Sequence, residues 1–349
     1  MLTVIKIAAA ILIFGLIILI HELGHFLAAR AVGVKVEEFS FGMGPRLFTI
    51  HGKETDFSLK LFPIGGSCAM KGEMEDDTGA EDAFVNKKPW QRFLVVFAGP
   101  FFNFLLAFIT AFILVSAAGT DQTKITSVMD GFPAQEAGLQ AGDEITRING
   151  RNIHLYREIT LYNALNPGTA QDIRVKRNGE TLAFHLEPKF SEEDGRYLLG
   201  ITSSAQNVMP DNIFRCAEYA YYELRYNFLS VLDSLVWLCK GNMSRDAVSG
   251  PVGIVTVISD TVEETYAYGW RVLILTMIDF ILLFSTNLGV MNLLPFPALD
   301  GGRLLFILIE WISGKHIDRK IENYIHLGGF VALMILMIFI MFNDVSKLL

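Results

Sequence analysis

Residues 7–29 read IAAAILIFGLIILIHELGHFLAA, an apolar run that carries His21-Glu22-Leu23-Gly24-His25 near its end. From Ile7 to Ile20 there is no charge, and Gly15 is the only helix-weakening residue. About 20 apolar residues span a bilayer, so the run predicts a membrane-crossing helix. An ionisable group in the middle of such a helix costs roughly 3 kcal/mol, and its presence points to function. Residues four apart share a helix face, so His21 and His25 can reach one metal ion. Glu22 lies beside the first imidazole and can take a proton from a metal-activated water. The plainer alternative is a membrane helix with buried, hydrogen-bonded histidines.

A second polar group closes another apolar stretch. It runs Asn287-Leu288-Gly289-Val290-Met291-Asn292-Leu293-Leu294-Pro295-Phe296-Pro297-Ala298-Leu299-Asp300-Gly301-Gly302. Pro295 and Pro297 stop regular helix, which membrane depth tolerates only around a polar cavity. Asp300 brings a carboxylate there. Two imidazoles and one carboxylate, with a fourth position for water, are the donor set of a catalytic Zn2+, one per chain. Asn287 and Asn292 can donate to a substrate carbonyl or a developing oxyanion, or can join helices to each other. Gly99 and Asn103 form a close-packing, hydrogen-bonding face in a further apolar stretch. Gly99 reads as helix packing, and Asn103 as packing or a contact to substrate backbone.

The 349 residues are 52% hydrophobic, with a positive mean hydropathy, which fits a multi-span membrane protein carrying a soluble part. The net charge of −8 argues against a nucleic-acid partner. Cys68, Cys216 and Cys239 have neither disulfide-framework nor zinc-type spacing. The first run lacks a small-residue cleavage site after it and carries the His/Glu motif, so it reads as a retained span.

Four stretches are long and apolar enough to cross a bilayer, at about 5–28, 93–118, 272–293 and 325–342. Basic residues crowd the loops after the first and third, which makes that side cytoplasmic. Both termini and the long 119–271 region then face outward. In the first loop, Phe57, Leu59 and Leu61 alternate with polar residues, a strand period. With Leu47 to Ile50 and a turn at His51-Gly52 they predict a hairpin, ended by Pro63 and Gly65-Gly66. It is either a small exposed ribbon or a ribbon that offers an edge to an unwound substrate segment.

Residues 119–205 change to soluble α/β character, with strand-like runs at 125–128, 144–148, 172–175 and 182–186. Asn149-Gly150 and Asn178-Gly179 are hairpin-turn pairs, and Arg157 to Leu165 predicts a helix stopped by Asn166-Pro167-Gly168. Pro133-Ala134-Gln135-Glu136-Ala137-Gly138-Leu139-Gln140-Ala141-Gly142-Asp143 resembles a PDZ signature. Tyr197-Leu198-Leu199-Gly200-Ile201 resembles the carboxylate-binding loop of circularly permuted PDZ domains, which makes Leu198 and Gly200 candidate contacts for a peptide C-terminus. The unit either binds peptide or acts as a steric gate. Residues 206–270 read as a juxtamembrane linker containing an amphipathic helix at 213–240, with a break at 248–253. Residues 271–349 hold the last two spans, and 1–118 the first two.

His-Glu-x-x-His, Gly99-Pro100-x-x-Asn103, the PDZ signature and Asn-Leu-x-x-Pro-x-Pro-x-Leu-Asp-Gly-Gly resemble, in that order, the site-2 protease family (peptidase M50). The likeness is greatest to its bacterial regulator-of-sigma-E type, and Phe41-Gly42-Met43-Gly44-Pro45 and Phe62-Pro63-Ile64-Gly65-Gly66 match family loops. The resemblance implies a multi-pass helical protein of the bacterial inner membrane, with a cytoplasmic β-hairpin and an extracytoplasmic PDZ-like domain. It implies zinc on His21, His25 and Asp300, with Glu22 as general base. It also implies cleavage of single-pass membrane proteins, such as anti-sigma factors, after an earlier cut outside the membrane. A PDZ scaffold with an inactive metal site and a transporter are the rival classes. The scaffold needs none of the ligand set, and no inverted repeat supports the transporter.

Overall fold

The computed structural model describes residues 2–73, 79–203, 207–241, 250–315 and 317–348. The chain divides into two compact units, Met1–Thr110 with Met243–Leu349, and Ala111–Asn242. Four helices are long and apolar enough to cross a membrane: Ile5–Ala31, Pro89–Ala118, Trp270–Leu293 and Lys320–Lys347. They cover the four predicted stretches and extend each. The fourth is only 6% buried over its apolar window. Phe339 and Phe342, 71% and 76% exposed, suit hydrocarbon and not water.

The first unit opens with α1 (Leu2–Ala31), followed by β1 (Val36–His51) and β2 (Asp56–Met70). The ribbon differs from the predicted hairpin. Strand character does not stop at Pro63 but continues to Met70. Phe39 pairs with both Phe57 and Cys68, and Phe41 with both Leu59 and Gly66. Each long strand therefore folds over, giving four short segments in the order 66–70, 36–41, 56–60, 46–51. Gly42 and Gly44 make the first bend at φ +88° and +87°, a region closed to most side chains. Phe26 of α1 packs edge-on against Phe39 and Phe57, which seats the sheet on the helix. Next comes α2 (Pro89–Ala118), which contains Pro100.

In the second unit, β3 (Ile125–Val128) pairs with β10 (Ile201–Ser203). A four-stranded antiparallel sheet runs in the order β5 (Arg151–Asn152), β4 (Glu144–Ile148), β6 (Gln171–Arg177), β7 (Glu180–Leu186). A small hairpin joins β8 (Lys189–Ser191) to β9 (Arg196–Leu198). Asn149 and Asn178 take positive φ before glycine, as the hairpin turns require. Ile145, Ile148, Ile173 and Val175 alternate inward, and Ile159 of α4 (Tyr156–Leu165) covers them, after the short α3 (Pro133–Glu136). Then α5 (Ile213–Cys239) packs on α4. Arg225 pairs with Glu158 at 3.0 Å and Arg157 with Glu223 at 3.1 Å. These pairs hold the polar face of the helix to α4, while Ile213, Phe214, Tyr221 and Val236 stay exposed.

The stretch expected as one linker does not stay one. Val248 and Ser249 lie outside the described residues, but Pro251–Tyr266 forms α6, a member of the first unit. Ile258 and Val262 are fully buried among Ala9, Ile13 and Ile17 of α1 and Leu273 and Phe280 of α7 (Trp270–Leu293). After α8 (Asp300–Ser313) comes α9 (Arg319–Leu348). Near its end, Asp344 accepts from the Gly250 and Gly253 amides at 3.0 and 2.9 Å and so caps α6.

In the second unit, buried Asp143 accepts two bonds from Arg177 and one from the Gln140 amide. The guanidinium outweighs burial and holds the Asp143 carboxyl below the ordinary range. A depressed folded pKa stabilises fully above the unfolded value near 4 and is lost as pH falls through the folded value. Asp143→Asn should therefore cost roughly 2 kcal/mol at neutral pH, a gap that narrows below about pH 4. Hydrogen exchange of β4 and β6 in the full chain at both pH values measures it.

Candidate metal centre

One turn of α1 presents His21 and His25 on a single buried face. Their Nε2 atoms lie 3.2 Å apart. His25 Nδ1 donates to the Val95 carbonyl at 2.9 Å, which leaves the Nε2 lone pair free. That carbonyl belongs to α2 just before Pro100, whose missing N–H leaves the neighbouring Val96 carbonyl without its helical donor. Asn103 of α2 lies 3.1 Å from His21 Nδ1. Its amide oxygen and nitrogen are interchangeable by shape, and the orientation with Oδ1 toward the ring accepts an Nδ1 proton. His21 Nε2 then also carries a lone pair.

The third donor comes from the other end of the unit. After α7, Leu294–Leu299 carries Pro295 and Pro297 out of helical geometry, and Asp300 begins α8. Asp300 Oδ2 stands 3.2 Å from His21 Nε2 and 3.5 Å from His25 Nε2. It is buried and has no hydrogen-bond partner. Ligands about 2.0–2.1 Å from a tetrahedral zinc stand about 3.3 Å from one another. The three separations fit such an ion, and the orphaned carboxylate oxygen between two lone pairs needs a cation. These are the residues that could hold one among the described histidine, cysteine and acidic groups.

Glu22 lines a cavity of about 440 Å³ together with the three donors, Glu73 and Arg303. One wall is the segment Gly66–Met70, an edge of the folded sheet with no second strand partner among the described residues. A Cβ at Gly66 would stand 2.9 Å from Glu22 Cγ, so the strand runs directly against that carboxylate. Arg303 forms an ion pair with Glu73.

Residues 9–336 match the model of peptidase family M50. The chain belongs to peptidase family M50, the site-2 proteases. A Clostridium acetobutylicum protein is 38% identical over 97% of both chains, and a Fusobacterium nucleatum protein 34% identical over 97% of this chain and 98% of its own. Both carry the name "Putative zinc metalloprotease". A solved PDZ domain of an SdrC-like protein from Listeria monocytogenes is 26% identical, covers 25% of this chain and 90% of its own, and gives a TM-score of 0.22.

In this M50 chain, Asn292 joins the cluster, its Nδ2 3.4 Å from His21 Nε2. Asn103 does too, fully buried beside His21 Nδ1. Asn287 donates to the Leu283 carbonyl of its own helix. Phe57, Leu59 and Leu61 are exposed and do not line the cavity; the edge that does is Gly66–Met70. Leu198 and Gly200 border a cavity in the second unit, beside α4. The Val95 carbonyl left no sequence signal, being backbone. Arg303 did: it is a lone cation three residues after Asp300.

Gly99 does more than pack helices. A Cβ there would overlap His25 Nε2 and crowd His21 Cε1. Gly99→Ala should abolish metal retention although alanine is the better helix former. Elemental analysis of the purified variant beside wild type tests this, and equal metal content would contradict the clash.

Proposed function

We propose that this M50 protein is an intramembrane zinc endopeptidase that cleaves membrane-spanning segments of single-pass proteins, anti-sigma factors among them, after a prior cut outside the membrane. The observation carrying the reading is the convergence of His21, His25 and Asp300 beside Glu22, at separations suited to zinc. The names of its relatives support zinc as the metal. Bound there, one zinc supplies Lewis-acid polarisation of a carbonyl and lowers the pKa of a water toward 7.

The chain's own groups do the rest. Glu22 accepts the proton of the attacking water and returns it to the leaving amide nitrogen as the C–N bond breaks. Asn292 donates to the peptide oxygen as charge develops on it. A helical substrate hides its carbonyls in its own hydrogen bonds, so it must unwind first. Gly66–Met70 accepts the unwound segment by strand addition. The PDZ-like unit takes a peptide C-terminus. By the distribution of basic loops, both termini and that unit lie outside the bacterial inner membrane, and the metal centre lies toward the cytoplasm.

Glu22→Gln should keep zinc yet lose cleavage by several orders of magnitude, and His21→Ala should lose both. Mass spectrometry of membrane peptides from cells making wild type or Glu22→Gln reads the products. Wild-type processing by Glu22→Gln would refute the assignment. A second test concerns the strand. Alternate residues of a strand send their N–H groups to opposite sides. Of Ser67→Pro and Cys68→Pro, one should therefore stop cleavage while sparing zinc content. If both well-folded variants cleave normally, strand addition is wrong.

A further inference from the structure

The turn that delivers Asp300 contains an alanine in a left-handed backbone, Ala298 at φ +79°. The other non-glycine residues with positive φ among those described are Asn149 and Asn178. Asparagine tolerates that region because its short amide bonds locally; alanine has no such relief, and its Cβ crowds the following carbonyl. A residue in this state persists where its surroundings hold it.

What holds it lies on the fourth span. The Ala298 amide donates to His326 Nδ1 at 2.9 Å. The proton of the neutral ring is then on Nε2, which is buried without a hydrogen-bond partner. The bond to Ala298 is thus the ring's polar role. Three residues on, Gly329 lies against the ring and carbonyl of Pro297, where any Cβ would clash. His326 and Gly329 share a face of α9 and together grip Pro297-Ala298. Phe306 of α8 packs on the imidazole, its centroid 5.6 Å away. Two residues after the gripped alanine, Asp300 turns its Oδ2 to the two imidazoles.

We propose that His326 is a positioning residue for the metal centre: acting from the last span, it holds Ala298 in its left-handed turn, and that turn aims Asp300. The inference rests on Asp300 being a metal ligand. It makes a helix that contributes no ligand a condition of metal affinity. A packing role alone would need the size of the ring and not its acceptor.

Four variants of the full chain in detergent separate these cases, read by zinc competition with a chelator and by the visible spectrum of the cobalt(II)-loaded protein. His326→Leu keeps bulk and loses the acceptor. It should bind zinc roughly ten- to hundredfold more weakly, as loss of an outer partner of a ligand does, and its cobalt spectrum should shift. His326→Asn puts an amide oxygen close to the place of Nδ1 and should restore both readouts. His326→Leu combined with Ala298→Gly should recover much of the affinity, because glycine adopts the turn unaided. Asp300→Asn should lose zinc outright. Wild-type affinity in His326→Leu with zinc lost in Asp300→Asn would overturn the inference and leave the metal site standing. A defect in His326→Asn as large as in His326→Leu would overturn it too. Wild-type affinity in Asp300→Asn would sink the site and the inference together.

Discussion

Three lone pairs aimed at one another across little more than 3 Å repel until a cation stands among them. His21, His25 and Asp300 are in that position, and the first unit is built to keep them there. The imidazoles are not free to turn away. One is tied by Nδ1 to the Val95 carbonyl and the other to the Asn103 side chain, both on α2. Burial makes the arrangement demanding, since an unpaired carboxylate away from water costs several kcal/mol. The same burial makes a divalent ion bind well, because little solvent screens it.

Bringing donors from opposite ends of the chain together requires departures from regular helix. Gly99 leaves out a side chain that would overlap the His25 ring, and Pro295 and Pro297 end α7 so that Asp300 can start α8 facing back toward α1. Each departure frees backbone groups that lipid cannot satisfy. Here they meet protein. The Leu294 and Phe296 amides bond within the turn, and the Ala298 amide reaches His326. The cavity beside the donors has Glu22, Glu73 and Arg303 in its wall, so the water a hydrolase consumes has polar groups to sit against.

Much of this was legible beforehand, for identifiable reasons. Apolar runs report spans because the bilayer fixes their length, and His21 and His25 report a shared face because the helical period does. Asn149-Gly150 and Asn178-Gly179 marked hairpins through the backbone angles they allow. Other features depend on long-range register. Alternation at Phe57, Leu59 and Leu61 identified a strand, but not that β2 folds over and pairs twice with β1. The charges on α5 gave an amphipathic pattern but not their partners, Glu158 and Arg157, which are more than 60 residues away. The Thr- and Glu-bearing pattern of α6 hid a helix whose one buried stripe, Ile258 and Val262, fits α1 and α7. Asn103 was read as helix packing or a substrate-backbone contact, since nothing local says that His21 stands opposite.

On the proposed reading, the folded ribbon would make a peptide bond in a membrane helix attackable at a tolerable cost. Unwinding a helix in hydrocarbon strands each freed N–H and C=O at several kcal/mol, so a site that merely waits for unwound substrate waits too long. A strand edge changes the balance, because each helical bond broken is replaced by one to the edge. Proteins ordinarily cover such edges to avoid unwanted pairing. Here Gly66-Ser67-Cys68-Ala69 has no second strand partner among the described residues, and its side chains are small enough for another backbone to come close. It also runs against Glu22, so a segment paired there would lie beside that side chain. In the proposed reaction, unwinding, holding and hydrolysis would share one wall of one cavity, which residues 36–41 back as its strand partner.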